Sequence, residues 1–176
     1  MKRIALFLIA ACLALPVMAQ TDSIGVYSVR GTAVDRVEAL NYKQTKITVG
    51  KAKLVFPGGT SSNRFAGAAT FRLYFGTPSP YEVSKYFMFT PAYSVNDFSV
   101  GKFEVKNGDR YLTTVRVSIL GAKIGASEAK GLTVESVKLH DNAYELTISG
   151  PAGEYCIMPI INGAAGYGGV FDFTIE

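Results

Sequence analysis

Residues 69–75, Ala69-Thr70-Phe71-Arg72-Leu73-Tyr74-Phe75, decide how this chain is read. Phe71, Leu73 and Phe75 fall on one side of an extended strand, and Thr70, Arg72 and Tyr74 on the other. Successive strand side chains point to opposite faces, so this period of two marks a strand with one face in a core. The period recurs. Phe103 and Val105 oppose Lys102, Glu104 and Lys106, while Tyr111, Thr113, Val115, Val117 and Ile119 form a longer stripe. Tyr144, Leu146 and Ile148 form another, and Phe171, Phe173 and Ile175 a last one. Further strands are predicted over 24–30, 34–41, 46–49, 51–56 and 85–89. No segment sustains an apolar 3.6-residue period, and a short helical turn at 127–130 is the nearest approach.

Turn residues punctuate these strands. Asn107-Gly108-Asp109 reads as a tight hairpin turn, because both central positions tolerate positive φ. Gly150-Pro151-Ala152-Gly153 is expected to close a second hairpin, with Ile148 beside Tyr155, Leu146 beside Ile157 and Thr147 beside Cys156. Leu132 and Val134 lie in one phase and Val137 and Leu139 in the other, so a β-bulge is predicted near Glu135-Ser136. The glycine-dense stretch 163–169 precedes a strand and lacks a Gly-Lys-Ser/Thr ending, so it reads as a hairpin connection and not as a phosphate loop.

The first twenty residues, MKRIALFLIAACLALPVMAQ, read as an export signal: Lys2 and Arg3, an apolar run from Ile4 to Leu15, a break at Pro16, and Val17-Met18-Ala19 before the cut. The expectation is a signal over 1–19 and one domain over 20–176, periplasmic or extracellular. Ile9-Ala10-Ala11-Cys12 leaves a lipid anchor at Cys12 as the other option. No later segment is apolar enough to be a transmembrane helix. After the cut, sixteen basic side chains face fourteen acidic ones, too even a balance to imply nucleic acid. Cys156 is then the sole cysteine, so no internal disulfide is expected.

Nine or ten short strands with Gly-rich turns, no internal repeat and no linker give the fold class. It is all-β, a single-domain antiparallel β-sandwich of two sheets, Ig-like or jelly-roll-like, with a β-barrel as the alternative.

Three groups of residues carry a resemblance. They are 69–75; Asp97-Phe98-Ser99-Val100 leading to Lys106-Asn107-Gly108-Asp109-Arg110; and Pro151-Ala152-Gly153-Glu154-Tyr155-Cys156, with Val170-Phe171-Asp172-Phe173 closing the chain. In these the chain resembles a group of secreted proteins from Bacteroidetes-type bacteria, a group without an assigned function. The resemblance implies a secreted β-sandwich and supplies no catalytic motif.

The chemical inventory is short. His140 is the only histidine, and no Asp, Glu or Cys cluster has zinc or calcium-loop spacing, so no cofactor is expected. His140-Asp141-Asn142 falls between two strands and reads as a turn. Cys156 reads as a packed thiol, and a hydrolase built on Cys156 or His140 ranks third among the functions considered. Two features remain. Nine of 21 aromatic residues lie between Phe71 and Phe98, with Tyr74, Tyr81, Tyr86 and Tyr93 as candidates for stacking on a glycan or anchoring a protein; the structural reading is that they fill or cap the core. Between Glu38 and Glu82 no acidic residue occurs, while Lys43, Lys46, Lys51 and Lys53 accumulate. That patch suits an anionic partner, or else guards a sheet edge against strand addition. The expectation is a non-catalytic binding module for a glycan or an envelope or extracellular protein, with a structural or assembly component of the envelope as runner-up.

Overall fold

The computed structural model describes residues 24–75, 94–118, 121–124, 131–161, 164–165 and 169–176. The expected export signal, the strand at 85–89, the helical turn at 127–130 and most of the glycine-dense stretch lie outside these residues. The fold is an all-β sandwich, and among the described residues its sheets number three, not two.

The front sheet runs in the order β11 (Thr133–His140), β12 (Ala143–Ser149), β6 (Ala69–Tyr74), β1 (Gly25–Arg30) and β2 (Ala33–Arg36), antiparallel throughout. The central sheet holds β14 (Ala164–Ala165), β13 (Gly153–Ile161), β15 (Phe171–Ile175) and β5 (Arg64–Phe65), with β7 (Phe98–Lys102) on the other edge of β13. The back sheet runs β10 (Gly121–Ile124), β9 (Asp109–Ser118), β4 (Lys51–Pro57) and β3 (Gln44–Thr48); β8 (Glu104–Lys106) also pairs with β9. β15 and β5 run parallel. None of the three sheets closes into a barrel.

Strand alternation explains the layering. Odd residues of the central strands, Tyr155, Ile157, Phe171, Phe173 and Ile175, pack against Val26, Phe71, Leu73, Leu146 and Ile148 of the front sheet. Phe71 and Phe173 meet at 5.0 Å between ring centroids, with Phe65 beside both. Even residues point the other way. Cys156 and Met158 join Leu54, Phe56, Phe103 and Leu112 of the back sheet. The central sheet is therefore buried on both faces.

Between the central and back sheets lies a buried polar knot. Arg110 of β9, 3 % exposed, donates from Nη1 to Asp172 Oδ2, and the same nitrogen lies 3.6 Å from Glu154 Oε2. Its Nε donates to the Gly58 carbonyl at 3.0 Å, and its guanidinium lies over the Phe103 ring. Glu154 in turn accepts from Thr60 Oγ1 and Thr174 Oγ1, both at 2.8 Å, and from the Ser61 backbone N–H at 2.9 Å. Buried charges persist when paired and hydrogen-bonded in this way.

Two turn expectations are corrected. Gly150–Gly153 does not close a hairpin: β12 pairs with β11 and β6, and β13 with β7 and β15. The chain crosses instead from front to central sheet, so Leu146 and Ile148 meet Tyr155 and Ile157 face to face across the core. Tyr155 Oη donates to the Pro151 carbonyl at 2.6 Å and pins this crossover. A Cβ at Gly150 would run into Leu132 Cδ2 and lie 3.1 Å from the Gly131 carbonyl oxygen, so any larger residue there makes Leu132 shift. The register shift in β11 falls between Lys138 and His140, not at Glu135-Ser136. The phase break has another cause: β11 is an edge strand exposed along its whole length, so neither face needs a stripe. The Asn107-Gly108 hairpin forms as expected, at φ 53° and 77°.

Candidate functional site

The outer face of the back sheet collects the basic residues. The register sets Lys46 of β3 opposite Lys53 of β4, and Lys53 opposite Thr113 of β9. Lys51, two residues before Lys53 on the same strand, shares that face by ordinary alternation. Glu104 of β8 lies opposite Tyr111, and Tyr111 opposite Val55. These strands enclose an open groove of about 450 Å³ lined by Lys46, Lys51, Lys53, Glu104, Lys106 and Tyr111, with Thr48 and Asn107 at its rim.

Four ammonium groups thus face one carboxylate. Lys53 Nζ donates to Glu104 Oε2 at 2.5 Å. That hydrogen bond, then the charge of Lys53 and the fields of Lys106 and Lys51, hold the Glu104 carboxyl below the usual carboxylate range. Lys46 Nζ lies 3.4 Å from Tyr111 Oη and 5.1 Å from its ring centroid. Lys51 and Lys106 have no ion-pair partner among the described residues.

Three of the four lysines singled out from the sequence meet here. Lys43 stands aside: it donates to both carboxylate oxygens of Asp109, at 2.6 and 2.7 Å, and is neutralised. Lys106, Tyr111 and Glu104 were not anticipated. They arrive on a hairpin some fifty residues further along, and only the β4–β9 register brings them to the same face.

Tyr74 lies elsewhere, on the outer face of the front sheet, with the central sheet between it and the lysines. Its ring meets Tyr27 edge-on at 5.4 Å and lies 6.1 Å from His140. Beside it Arg72 Nε donates to Glu145 Oε2 at 2.9 Å, and that bond raises the Arg72 pKa further. The other candidate tyrosines, Tyr81, Tyr86 and Tyr93, lie outside the described residues. Of the remaining aromatic cluster, Phe71 and Phe75 are buried in the core.

The two residues considered for nucleophilic chemistry stand apart. Cys156 is packed among Leu54, Phe56 and Met158, and burial pushes its thiol up to about 12. His140 is exposed at the end of β11, next to the Asp141-Asn142 turn anticipated for it. No group of three or more His, Cys, Asp or Glu residues is placed to hold a metal among the described residues. Comparison of the chain with family models, curated proteins and solved structures finds no match.

Proposed function

We propose that this protein is an exported, non-catalytic binding module that takes an anionic partner, a glycan or an acidic envelope protein, on the outer face of its back sheet. The groove of Lys46, Lys51, Lys53 and Lys106 carries this reading. Edge protection explains it less well. Guarding lysines belong on the edge strand itself; Lys46 lies on the edge strand β3 and Lys106 on β8, which pairs only with β9, whereas Lys51 and Lys53 lie on the inner strand β4. Clustered like charges cost stability through mutual repulsion, and an arriving anion relieves that cost.

The test is retention on immobilised dextran sulfate. Lys51→Glu with Lys106→Glu abolishes it, Lys138→Glu on the front sheet leaves it unchanged, and wild-type retention falls steeply with salt because exposed charges are screened. Equal retention of all three proteins removes the groove as the site. Export is checked on protein recovered from the periplasm, whose first residue is expected to be Gln20.

The runner-up, an assembly component, is supported by β11. This eight-residue edge strand exposes Val134, Val137 and Leu139 and is open to strand addition. Light scattering that grows with concentration, and is abolished by Val137→Lys, favours that reading.

A further inference from the structure

Resting on the reading of the groove as an anion site, we infer that its ligand is an acidic polysaccharide and not an acidic peptide. The argument turns on Glu104 and Tyr111. A surface built only to attract carboxylates gains nothing from a carboxylate in its midst, because like charges at close range repel. Glu104 nevertheless sits among Lys51, Lys53 and Lys106, directly across from Tyr111. Its side chain is 62 % exposed, so its second oxygen reaches solvent and accepts hydrogen bonds from a ligand. The fitting donor is a hydroxyl, and charge-assisted bonds to a carboxylate are the strong ones.

Tyr111 adds the second requirement. Tyr111 lines the groove, and the ammonium 5.1 Å from its ring centroid belongs to a long, flexible side chain that can give way to a ligand. The apolar stems of the lysines extend the same surface. A pyranose ring has an apolar face and a hydroxyl-rich rim; a uronate or sulfated sugar adds the anion. Face on Tyr111, hydroxyls on Glu104, acid on the lysines: one chemistry uses all three. An acidic peptide uses the lysines, leaves the ring idle and has no hydroxyls to offset its repulsion from Glu104. A volume of about 450 Å³ lies within the range of ligand pockets.

The experiment measures binding of polygalacturonate and of poly-L-glutamate, matched in charge, to wild-type protein, Tyr111→Leu and Glu104→Gln. The full chain is used, and unchanged circular dichroism serves as the folding control. The expected result is tighter binding of polygalacturonate. Tyr111→Leu weakens it about five- to tenfold, the worth of an aromatic contact, and leaves polyglutamate within about twofold. Glu104→Gln tightens polyglutamate several-fold and brings no such gain for polygalacturonate. Should Tyr111→Leu fold poorly, Glu104→Gln carries the test alone through these unlike effects. Equal binding of both polymers, with Tyr111→Leu affecting neither, overturns the polysaccharide and leaves the anion site standing. Binding of neither polymer overturns both.

Discussion

Cys156 is fully buried between the central and back sheets, and its chemistry follows from that place. A thiol reagent is expected to leave it untouched in the folded protein and to label it on unfolding, read by intact mass; rapid labelling of the native state overturns the packed-thiol reading. The same burial sets an alkaline limit. An ordinary thiol ionises near 9.0, whereas this one is held up to about 12, so unfolding releases a proton between those values. The contribution of Cys156 is fully present below pH 9 and is lost as pH rises through that window, by roughly 1 kcal/mol per pH unit. Urea midpoints for wild type should fall through that range more steeply than those of Cys156→Ala; equal slopes count against the assignment. Arg110 poses the opposite problem, since it is the one cation against two buried carboxylates in the knot it forms with Asp172 and Glu154. Arg110→Met leaves both uncompensated and should cost about 3–5 kcal/mol in denaturant unfolding. Adding Asp172→Asn should recover part of the loss.

At the scale of elements, the turn between β8 and β9 shows conformation acting without packing. A Cβ on Gly108 meets nothing within 4 Å, yet its φ of 77° belongs to the left-handed region. Gly108→Ala should therefore destabilise by about 1–2 kcal/mol through the backbone alone, and a loss below measurement error contradicts this. The hairpin was legible because Asn-Gly signals its own geometry locally. The Gly150–Gly153 link was not. Matching stripes at Leu146/Ile148 and Tyr155/Ile157 satisfy side-by-side pairing and face-to-face packing equally, and the sequence pattern is the same for both. The better signal lay further along: residues 155–161, YCIMPII, are apolar without alternation, as in a strand covered on both faces. β15 hides the same fact, because Asp172 and Thr174 look solvent-facing yet line the Arg110 knot.

For the whole molecule, three layers place the two outer faces on opposite sides. The lysine-rich stretch was readable as a gap in acidic residues from 39 to 81, whereas the groove was not. Its carboxylate and aromatic ring come from β8 and β9, and only the cross-strand register, Val55 opposite Tyr111 and Tyr111 opposite Glu104, brings them beside the lysines. The layering has a further consequence in time. β15 supplies the middle of the central sheet, pairs with both β13 and β5, and contributes Phe171, Phe173 and Ile175 to the larger core. Chains emerge from the ribosome beginning at the N-terminus, so the middle layer lacks its central strand until residue 175 has been made. Nascent chains arrested before residue 171 should be digested by protease as readily as unfolded protein. Protection should appear only once residues 171–175 have cleared the exit tunnel. Synthesis thus outruns folding by design of the topology, and the chain stays open and extensible until β15 is in place.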